Sequence, residues 1–289
     1  MKLLITGGTG FLGSRAAAYF QSLGFEVLTP SHADLDITDA GAVENWFRKN
    51  RPEAVVHTAA ISDTGLCQQK PEWSEAINVD GCVSLAKSCQ EFGSRLVICS
   101  SDQVYSGSHH PGPHTETEDV TPNNVYGNQK QRAEQLCLQI LPDTVCLRLS
   151  WMYSIQTRPE EHGHFLTTLK AALENKQLSL TWPVHDRRGI TDVNAVVKNL
   201  PAALNLPGGI YNFGSENGSS TYETVKILLS QLNMSAALQR LVPNTAAFSQ
   251  NPRDISMDTK KIQDFGIVFP ATLQSLFDAL ETRKGDTQT

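Results

Sequence analysis

The chain has 289 residues, and its contents of hydrophobic residues (40%) and charged residues (19%) are ordinary for a globular protein. The net charge is −6 and no basic stripe is present, which argues against a nucleic-acid partner. No apolar run approaches the ~18 residues that a membrane-spanning helix requires, and the first residues lack a signal-peptide pattern. The six cysteines form no Cys-x-x-Cys pair. We therefore expect a cytoplasmic protein with reduced thiols and no membrane partner.

The first half of the chain alternates predicted strands with predicted helices. This alternation predicts βαβ units with right-handed crossovers and a parallel sheet. The predicted strands cover 2–6, 25–29, 54–57, 95–100 and 144–149, and the predicted helices cover 10–23, 39–49 (capped by Thr38), 72–92 and 124–141.

The alternation of strands and helices ends after residue 150, where the sequence becomes irregular and rich in Pro, Gly and Asn. We interpret 1–150 as one domain and 151–289 as a smaller mixed α/β lobe that binds substrate, some segments of which are free to return to the first domain. In this half the predicted helices are 163–175, 193–204, 222–232 and 272–282, and the predicted strands are 178–181 and 209–213.

A glycine-rich string joins the first predicted strand to the first predicted helix. Gly7 permits a tight turn, Gly10 lets the backbone approach a phosphate, and Gly13 lets the helix pack against the sheet. The backbone N–H groups of the following turn, at Phe11 and Leu12, face the same place and favour an anion. In this strand–turn–helix context the string predicts a Rossmann-type domain that binds the pyrophosphate of a dinucleotide in these five residues.

The end of the second predicted strand bears on the choice between NADP and NAD. A carboxylate there would bind the 2′-hydroxyl of NAD, but the residues are Thr29, Pro30, Ser31 and His32. We therefore favour NADP(H) and keep NAD(H) as the alternative. Arg15 is either a helper for the 2′-phosphate or a residue of a solvated helix face.

Tyr126 and Lys130 stand four residues apart on a predicted helix, so their side chains share one face. A free phenol titrates at about pH 10 and is a poor acid–base catalyst at neutral pH. A neighbouring ammonium favours phenolate, so we expect Lys130 to lower the pKa of Tyr126. Ser100 and Ser101 at the end of a predicted strand supply the hydroxyl that such a site needs beside a nicotinamide.

With these motifs the chain resembles the extended short-chain dehydrogenase/reductase superfamily, and within it most closely the dTDP-4-dehydrorhamnose reductases. This family has a Rossmann-type doubly wound parallel sheet and a smaller C-terminal substrate lobe. The segments that carry the resemblance are 6–13, 34–39, 57–60, 100–107, 125–130, 148–151 and 209–212.

The resemblance assigns roles to particular residues. Ser101 is the catalytic hydroxyl, Tyr126 is the acid, and Lys130 also holds the nicotinamide ribose. Two further pairs line the cofactor: Asp36 and Ile37 flank the adenine, and Ala59 and Ala60 line its middle. Taken alone, Asp36 is equally a residue that caps a helix.

On the substrate side, Asp102 and Gln103 follow the catalytic hydroxyl. Relatives that dehydrate nucleotide sugars carry Thr-Asp-Glu here and use the glutamate for proton transfer. Gln103 has no ionisable proton, which argues against dehydration. Trp151 is a candidate for stacking on sugar or nicotinamide, and Arg253 for clamping a diphosphate. The structural alternatives are a turn cap for Asp102, core packing for Trp151 and a surface ion pair for Arg253.

Some positions depart from the reductase family. Arg187 and Arg188 stand where that family usually has glutamine and an aromatic residue, so the substrate is free to differ. An acid that helps to bind magnesium in some members falls on Arg15, so we expect no metal.

The sequence thus favours an NAD(P)H-dependent reductase of a keto group on a nucleotide-activated deoxysugar. One alternative within enzymes is an epimerase that retains NAD, or a reductase of a non-sugar carbonyl. Another is a non-catalytic subunit that binds NADP, because the regulatory β subunits of methionine adenosyltransferase resemble the same reductases. By analogy with relatives we expect a homodimer that pairs through the predicted helices 72–92 and 124–141.

Overall fold

The computed structural model describes residues 1–156, 158, 163–175 and 179–286, with side chains described to residue 281. A π-helical segment, Ala76–Asp80, and a 3₁₀ turn, Asp102–Tyr105, join neighbouring elements. In chain order the strands are Lys2–Thr6 (β1), Glu26–Leu28 (β2), Ala54–His57 (β3), Arg95–Ser101 (β4), Val145–Leu149 (β5), Trp151–Tyr153 (β6), Leu180–Pro183 (β7), Asp186–Arg187 (β8), Ile190–Asp192 (β9), Gly209–Phe213 (β10), Leu241–Asn244 (β11) and Arg253–Asp254 (β12). The helices are Phe11–Ser22 (α1), Ala40–Asn50 (α2), Thr64–Gln69 (α3), Pro71–Glu75 (α4), Gly81–Phe92 (α5), Val125–Ile140 (α6), Phe165–Glu174 (α7), Val193–Ala203 (α8), Thr221–Gln231 (α9), Ser235–Arg240 (α10), Lys260–Gln263 (α11) and Thr272–Asp286 (α12).

Six parallel strands form the main sheet in the order β2-β1-β3-β4-β5-β10. The chain moves outward from β1 to β2 and then returns to place β3 on the other side of β1. In open α/β sheets ligands bind beyond the carboxyl ends of the strands at such a reversal. The reversal therefore positions a crevice beyond the ends of β1 and β3.

Successive side chains of β1 point to opposite faces of the sheet, and each face is covered by helices. Leu3 and Ile5 point into one apolar cluster, which includes residues of α1 and α8. Leu4 points into the other, with residues of α2, α5 and α6. Because both faces are buried, the middle strands are mostly apolar, as is typical of parallel sheets. The predicted doubly wound Rossmann-type fold is confirmed.

The second half of the chain contributes to two regions. Gly209–Phe213 pairs with β5 and completes the main sheet, so this segment returns to the first domain. A separate apolar cluster joins residues of α7, α9 and α12 and includes Phe165 and Leu228. Three short parallel pairs, β6 with β9, β7 with β11 and β8 with β12, lie around it. The division into 1–150 and 151–289 remains our interpretation.

Two details of the helices differ from the sequence-based expectation. The predicted helix 72–92 is interrupted, because α4 passes through the π-helical segment before α5 begins at Gly81. An added Cβ on Gly81 would lie 2.7 Å from Ile37 Cδ1, so a larger residue would require the Ile37 side chain to shift. Thr38 does not cap α2; the carboxylate of Asp39 does, by accepting from Ala42 N at 3.0 Å.

Candidate functional site

The glycine turn forms a tight cradle at the switch point of the sheet. Gly7 has φ +69°, and an added Cβ would lie 2.8 Å from the backbone nitrogen of Ala59, which follows β3. An added Cβ on Gly13 would lie 2.1 Å from the Gly7 oxygen, whereas one on exposed Gly10 would meet that oxygen at 3.2 Å. Gly10 is the N-cap of α1 and no side chain caps this helix. The first N–H groups, at Phe11 and Leu12, are thus left for an anion.

The predicted adenine side contains one polar and one apolar residue. Asp36 accepts from Thr38 N at 2.9 Å and from Thr38 Oγ1 at 2.7 Å, and these bonds lower the pKa of its carboxyl. Asp36 thus forms an Asx turn and does not cap a helix, the alternative foreseen for it, because Asp39 caps α2. The side chain of Ile37 is 9% exposed and belongs to the core cluster beneath α5.

Ala59 and Ala60 follow β3 and remain half-buried beside the cradle. Ala59 N lies 3.5 Å from Thr6 Oγ1. Immediately after them, Ile61 N donates to Asn78 Oδ1 at 2.8 Å, and Asn78 Nδ2 donates back to Ile61 O at 3.0 Å. Both alanines therefore stand on a backbone that a buried amide holds in place.

A carboxylate lies where the sequence analysis placed none. Asp34 accepts from Ser31 N at 3.1 Å and from Ser31 Oγ at 2.6 Å, so its carboxylate folds back onto the turn that follows β2. Arg15 does not lie on a solvated face: its guanidinium lies 4.6 Å from the Phe11 ring centre and donates to Gln156 O at 2.8 Å. Arg15 thus ties α1 to the segment that follows β6.

Ser101, Tyr126 and Lys130 lie together at the carboxyl end of β4. Ser101 is the last residue of that strand, and Tyr126 and Lys130 lie on the buried face of α6. Lys130 Nζ donates to Cys99 O at 2.8 Å and lies 5.6 Å from the centre of the Tyr126 ring. Gly127 permits this packing, because an added Cβ would lie 2.4 Å from Gln103 O.

Lys130 lowers the pKa of Tyr126 as expected, but burial outweighs it and the pKa of the phenol is raised overall. Burial raises the pKa of the phenol, the Lys130 ammonium opposes that rise, and the Asp102 carboxylate adds to it. Burial alone would lower the pKa of Lys130, but the Tyr126 phenol and neighbouring thiols raise it overall. The phenol is therefore protonated at neutral pH and the amine is charged.

Asp102 and Gln103 are buried, with exposures of 1% and 5%. Arg188 Nη2 donates to both carboxylate oxygens of Asp102, at 2.8 and 3.0 Å. Gln103 Oε1 accepts from Asn124 Nδ2 at 3.2 Å, and Asn124 caps α6. Both side chains thus hold neighbouring protein groups, whereas we predicted substrate contacts for them.

Trp151 and Arg253 also have protein partners. The Arg188 guanidinium lies 5.2 Å from the centre of the Trp151 ring, and Trp151 Nε1 donates to Gly163 O at 2.9 Å. Arg253 Nε donates to Asp186 Oδ1 at 2.7 Å, so Arg253 forms an ion pair, but with a buried carboxylate and not at the surface as foreseen. Its side chain is 24% exposed, so its other N–H groups have access to solvent.

Sequence reasoning missed a buried amide network and the role of Arg188. Asn78 Nδ2 donates to Gln129 Oε1 at 2.9 Å, and Gln129 Nε2 donates to Ser74 Oγ at 2.8 Å, so the network joins the loop after β3 to α6. Gln129 stands inside the Tyr126–Lys130 motif, and that position was a usable signal. Arg188 was noticed only as a departure from a family pattern.

No described helix is long and apolar enough to cross a membrane. Across the described side chains, no group of three or more His, Cys, Asp or Glu is arranged to hold a metal ion.

Comparisons with known proteins agree with this geometry. Over 278 residues the chain is 26% identical to the methionine adenosyltransferase 2 subunit beta of Bos taurus, covering 92% of this chain and 83% of that protein. It is 34% identical over 153 residues to a dTDP-4-dehydrorhamnose reductase of Streptomyces griseus, covering 53% of this chain and 50% of that protein. The structure of dTDP-4-dehydrorhamnose reductase from Bacillus anthracis in complex with NADP superposes with a TM-score of 0.85 at 21% identity, covering 98% of this chain and 100% of that one.

The match to a family model spans almost the whole chain. The model described as the RmlD substrate binding domain matches residues 1–283. Together with the relatives above, this match confirms the resemblance that the motifs indicated. The chain belongs to the RmlD substrate binding domain family.

Proposed function

We propose that the protein is an NAD(P)H-dependent reductase of a keto group on a nucleotide-activated deoxysugar. The observation that carries the proposal is the convergence of Ser101, Tyr126 and Lys130 at the end of β4. β4 pairs with β3, which flanks the glycine cradle, so these side chains and the cradle share one edge of the sheet. The names of the reductase relatives support this substrate class.

The cradle fits a dinucleotide. Gly7, Gly10 and Gly13, with the N–H groups of Phe11 and Leu12, would hold the pyrophosphate. Asp36 and the backbone of Ile37 would flank the adenine, and Ala59 and Ala60 would line the middle. Lys130 would hold the nicotinamide ribose.

We favour NADP(H) because Thr-Pro-Ser-His follows β2 directly and because the Bacillus anthracis reductase was solved with NADP. NAD(H) is the alternative, since the Asp34 carboxylate on the same turn would repel a 2′-phosphate. Affinities for NADPH and NADH, measured side by side by fluorescence titration, decide between them. A tenfold preference for NADH would overturn our choice.

Bound NADPH would supply a hydride to the substrate carbonyl carbon. Tyr126 donates its proton to the carbonyl oxygen as negative charge develops there, and burial keeps the phenol protonated until that moment. Ser101 turns its hydroxyl from Asp102 to the same oxygen. The charged Lys130 then stabilises the phenolate that remains. Each of these groups is buried, so water competes little for the developing charge.

The test is NADPH oxidation by the purified protein with a panel of nucleotide 4-ketosugars. Tyr126→Phe should lower kcat/KM by about 10²–10⁴-fold, because general acid catalysis is lost. NADPH affinity should be retained. The control is Tyr19→Phe, a half-buried phenol near the far end of α1. Full activity in Tyr126→Phe would refute the mechanism, and bound NAD without net oxidation would favour an epimerase.

One observation favours a second candidate function. The similarity to the methionine adenosyltransferase subunit extends over 92% of this chain, whereas that to the Streptomyces griseus reductase covers 53%. On this alternative the chain binds NADP and acts as the partner of a methionine adenosyltransferase. Stoichiometric co-elution with such an enzyme, without NADPH oxidation on any keto-sugar, would establish it.

We further propose a cytoplasmic homodimer. All six cysteines are free and buried, as expected for a reducing compartment. By analogy with relatives, the dimer would pair through α5 and α6. Light scattering at micromolar concentration would show twice the chain mass, and a monomer would contradict the proposal.

A further inference from the structure

We propose that Arg188 is a positioning residue for the reaction, acting through Asp102 on Ser101 and Tyr126. This role presupposes the reductase activity proposed above. Arg188 departs from the usual sequence of the reductase family, and its partner stands next to the hydroxyl that hydrogen-bonds the substrate.

The guanidinium of Arg188 is fixed on several sides. Nη2 contacts both oxygens of Asp102 at 2.8 and 3.0 Å, and the group lies 5.2 Å from the Trp151 ring centre. The backbone is also held, because Arg188 O accepts from Asn217 Nδ2 at 2.9 Å. With the two side chains only 13% and 1% exposed, this is a buried ion pair with little room to rearrange.

Asp102 links this ion pair to the reacting groups. Ser101 Oγ donates to Asp102 Oδ1 at 3.2 Å and accepts from Gln103 N at 3.2 Å. The charge of Asp102 also acts on the Tyr126 phenol. A fixed carboxylate at this point therefore sets where the Ser101 hydroxyl points before substrate arrives.

The charges around these groups come from several elements. Tyr126 faces Lys130 on its own helix, Asp102 on the 3₁₀ turn and the Cys67 thiol on α3. Asp102 faces Arg188 and, farther away, Arg253. Burial raises the pKa of Asp102 above its ordinary value even with Arg188 in place, and Arg188 is the main opposing influence.

Without Arg188, Asp102 would be a fully buried carboxylate without its close counter-charge. Such groups take up a proton instead of remaining ionised. Protonated Asp102 becomes a hydrogen-bond donor toward Ser101, which reverses the polarity of their contact. Loss of Arg188 should thus add an ionisation of Asp102 to the pH dependence of the reaction.

The neighbouring residue offers a matched control. Arg187 pairs with Asp254 at 3.1 Å, but its side chain is 43% exposed and its partner lies on β12, away from Ser101. Arg187→Gln removes the same functional group from the adjacent position. It should leave the chemistry of Asp102 unchanged.

The experiment compares Arg188→Gln, Arg188→Lys, Arg187→Gln and the double variant Asp102→Asn/Arg188→Gln with the wild type. The first readout is the carboxyl ¹³C NMR titration of aspartate-labelled protein, with Asp102 assigned by Asp102→Asn. The second is the pH profile of kcat/KM for NADPH-dependent reduction. Arg188→Gln should raise the titration midpoint of Asp102 by about 1–3 pH units.

The same midpoint should appear in the pH profile of Arg188→Gln and vanish in the double variant. Arg188→Lys should restore most of the wild-type profile, and Arg187→Gln should change neither readout. An unchanged profile despite a shifted Asp102 titration would overturn the role of Arg188, as would equal effects of Arg187→Gln.

Failure of the reductase proposal is distinguishable from these outcomes. If none of the keto-sugars supports NADPH oxidation by the wild-type protein, the reductase proposal fails and the catalytic role of Arg188 fails with it. The NMR titration still shows whether Arg188 holds Asp102 ionised. If Arg188→Gln does not fold, the double variant and Arg188→Lys are compared with the wild type instead. Neither of them leaves a buried charge without a partner. In that case, a new ionisation in the double variant would refute the role.

Discussion

At the residue scale, burial governs the protonation states of the site. Tyr126 is 7% exposed and Lys130 is 3% exposed, so the phenol and the ammonium interact with little screening by water. Burial nevertheless raises the pKa of the phenol more than Lys130 lowers it. For a reductase this is an advantage, because the acid must hold its proton until the carbonyl oxygen accepts it.

We therefore expect Tyr126 to stay protonated across neutral pH, so its titration should not affect the reductive rate in this range. A donor whose pKa lies above its ordinary value stays protonated as pH rises, and the rate falls only above about pH 10. The measurement is kcat/KM for NADPH oxidation from neutral to alkaline pH, with circular dichroism to confirm folding. A decline that begins near neutrality and disappears in Tyr126→Phe would contradict this expectation.

At the element scale, the site depends on close contacts that only glycine allows. The turn from β1 to α1 brings Gly7 against the segment after β3, and Gly13 against the oxygen of Gly7. The π-helical segment performs a similar task for α6, because Asn78 within it bonds both Ile61 and Gln129. Both connections fix the position of the segment that follows β3.

Gly7→Ala should therefore damage both stability and cofactor binding. Gly93 provides the control, since it has φ +70° and nothing lies within 4 Å of an added Cβ. Gly93→Ala should cost only the left-handed strain, about 1–2 kcal/mol. Gly7→Ala should cost more, because its Cβ would also overlap the Ala59 backbone. Urea unfolding and NADPH titration measure both effects; equal losses in the two variants would contradict the close contact.

At the scale of the whole molecule, one buried polar network joins the two halves of the sequence. Arg148 on β5 donates to Glu134 on α6 at 2.7 and 3.0 Å, and to Tyr105 Oη at 2.8 Å. Tyr105 Oη in turn donates to Asn212 Oδ1 on β10 at 2.8 Å. The network thus connects the sheet's edge strand with the helix that carries Tyr126 and Lys130.

Breaking the ion pair from one side should strongly destabilise the fold. Arg148 and Glu134 are 2% and 1% exposed, so Arg148→Met leaves a buried carboxylate without its partner and should cost about 3–5 kcal/mol. The double variant Arg148→Met/Glu134→Leu should cost less than the sum of the single variants. Arg48→Met, which breaks an exposed pair with Glu44, should change stability by less than about 1 kcal/mol. Urea unfolding tests all four, and additive losses would refute the coupling.

The sequence by itself determined the features that depend on neighbours along the chain. The glycine turn, the four-residue spacing of Tyr126 and Lys130 and the alternation of strands and helices each follow from local geometry. They were sufficient for the fold and for predicting that Ser101, Tyr126 and Lys130 lie together. Short strands such as Asp186–Arg187 were not predictable, because two residues carry no periodicity and form a strand only by pairing with Arg253–Asp254.

The tertiary structure alone decided which charges meet and how much water reaches them. Asp102 and Arg188 are 86 positions apart in the chain, and no local pattern pairs them. The partners of Gln103 and Trp151, at Asn124 and Gly163, are likewise 21 and 12 positions away in the chain. Burial, which reversed the expected shift of the Tyr126 pKa, is a property of packing from all sides, and a sequence motif specifies only one side.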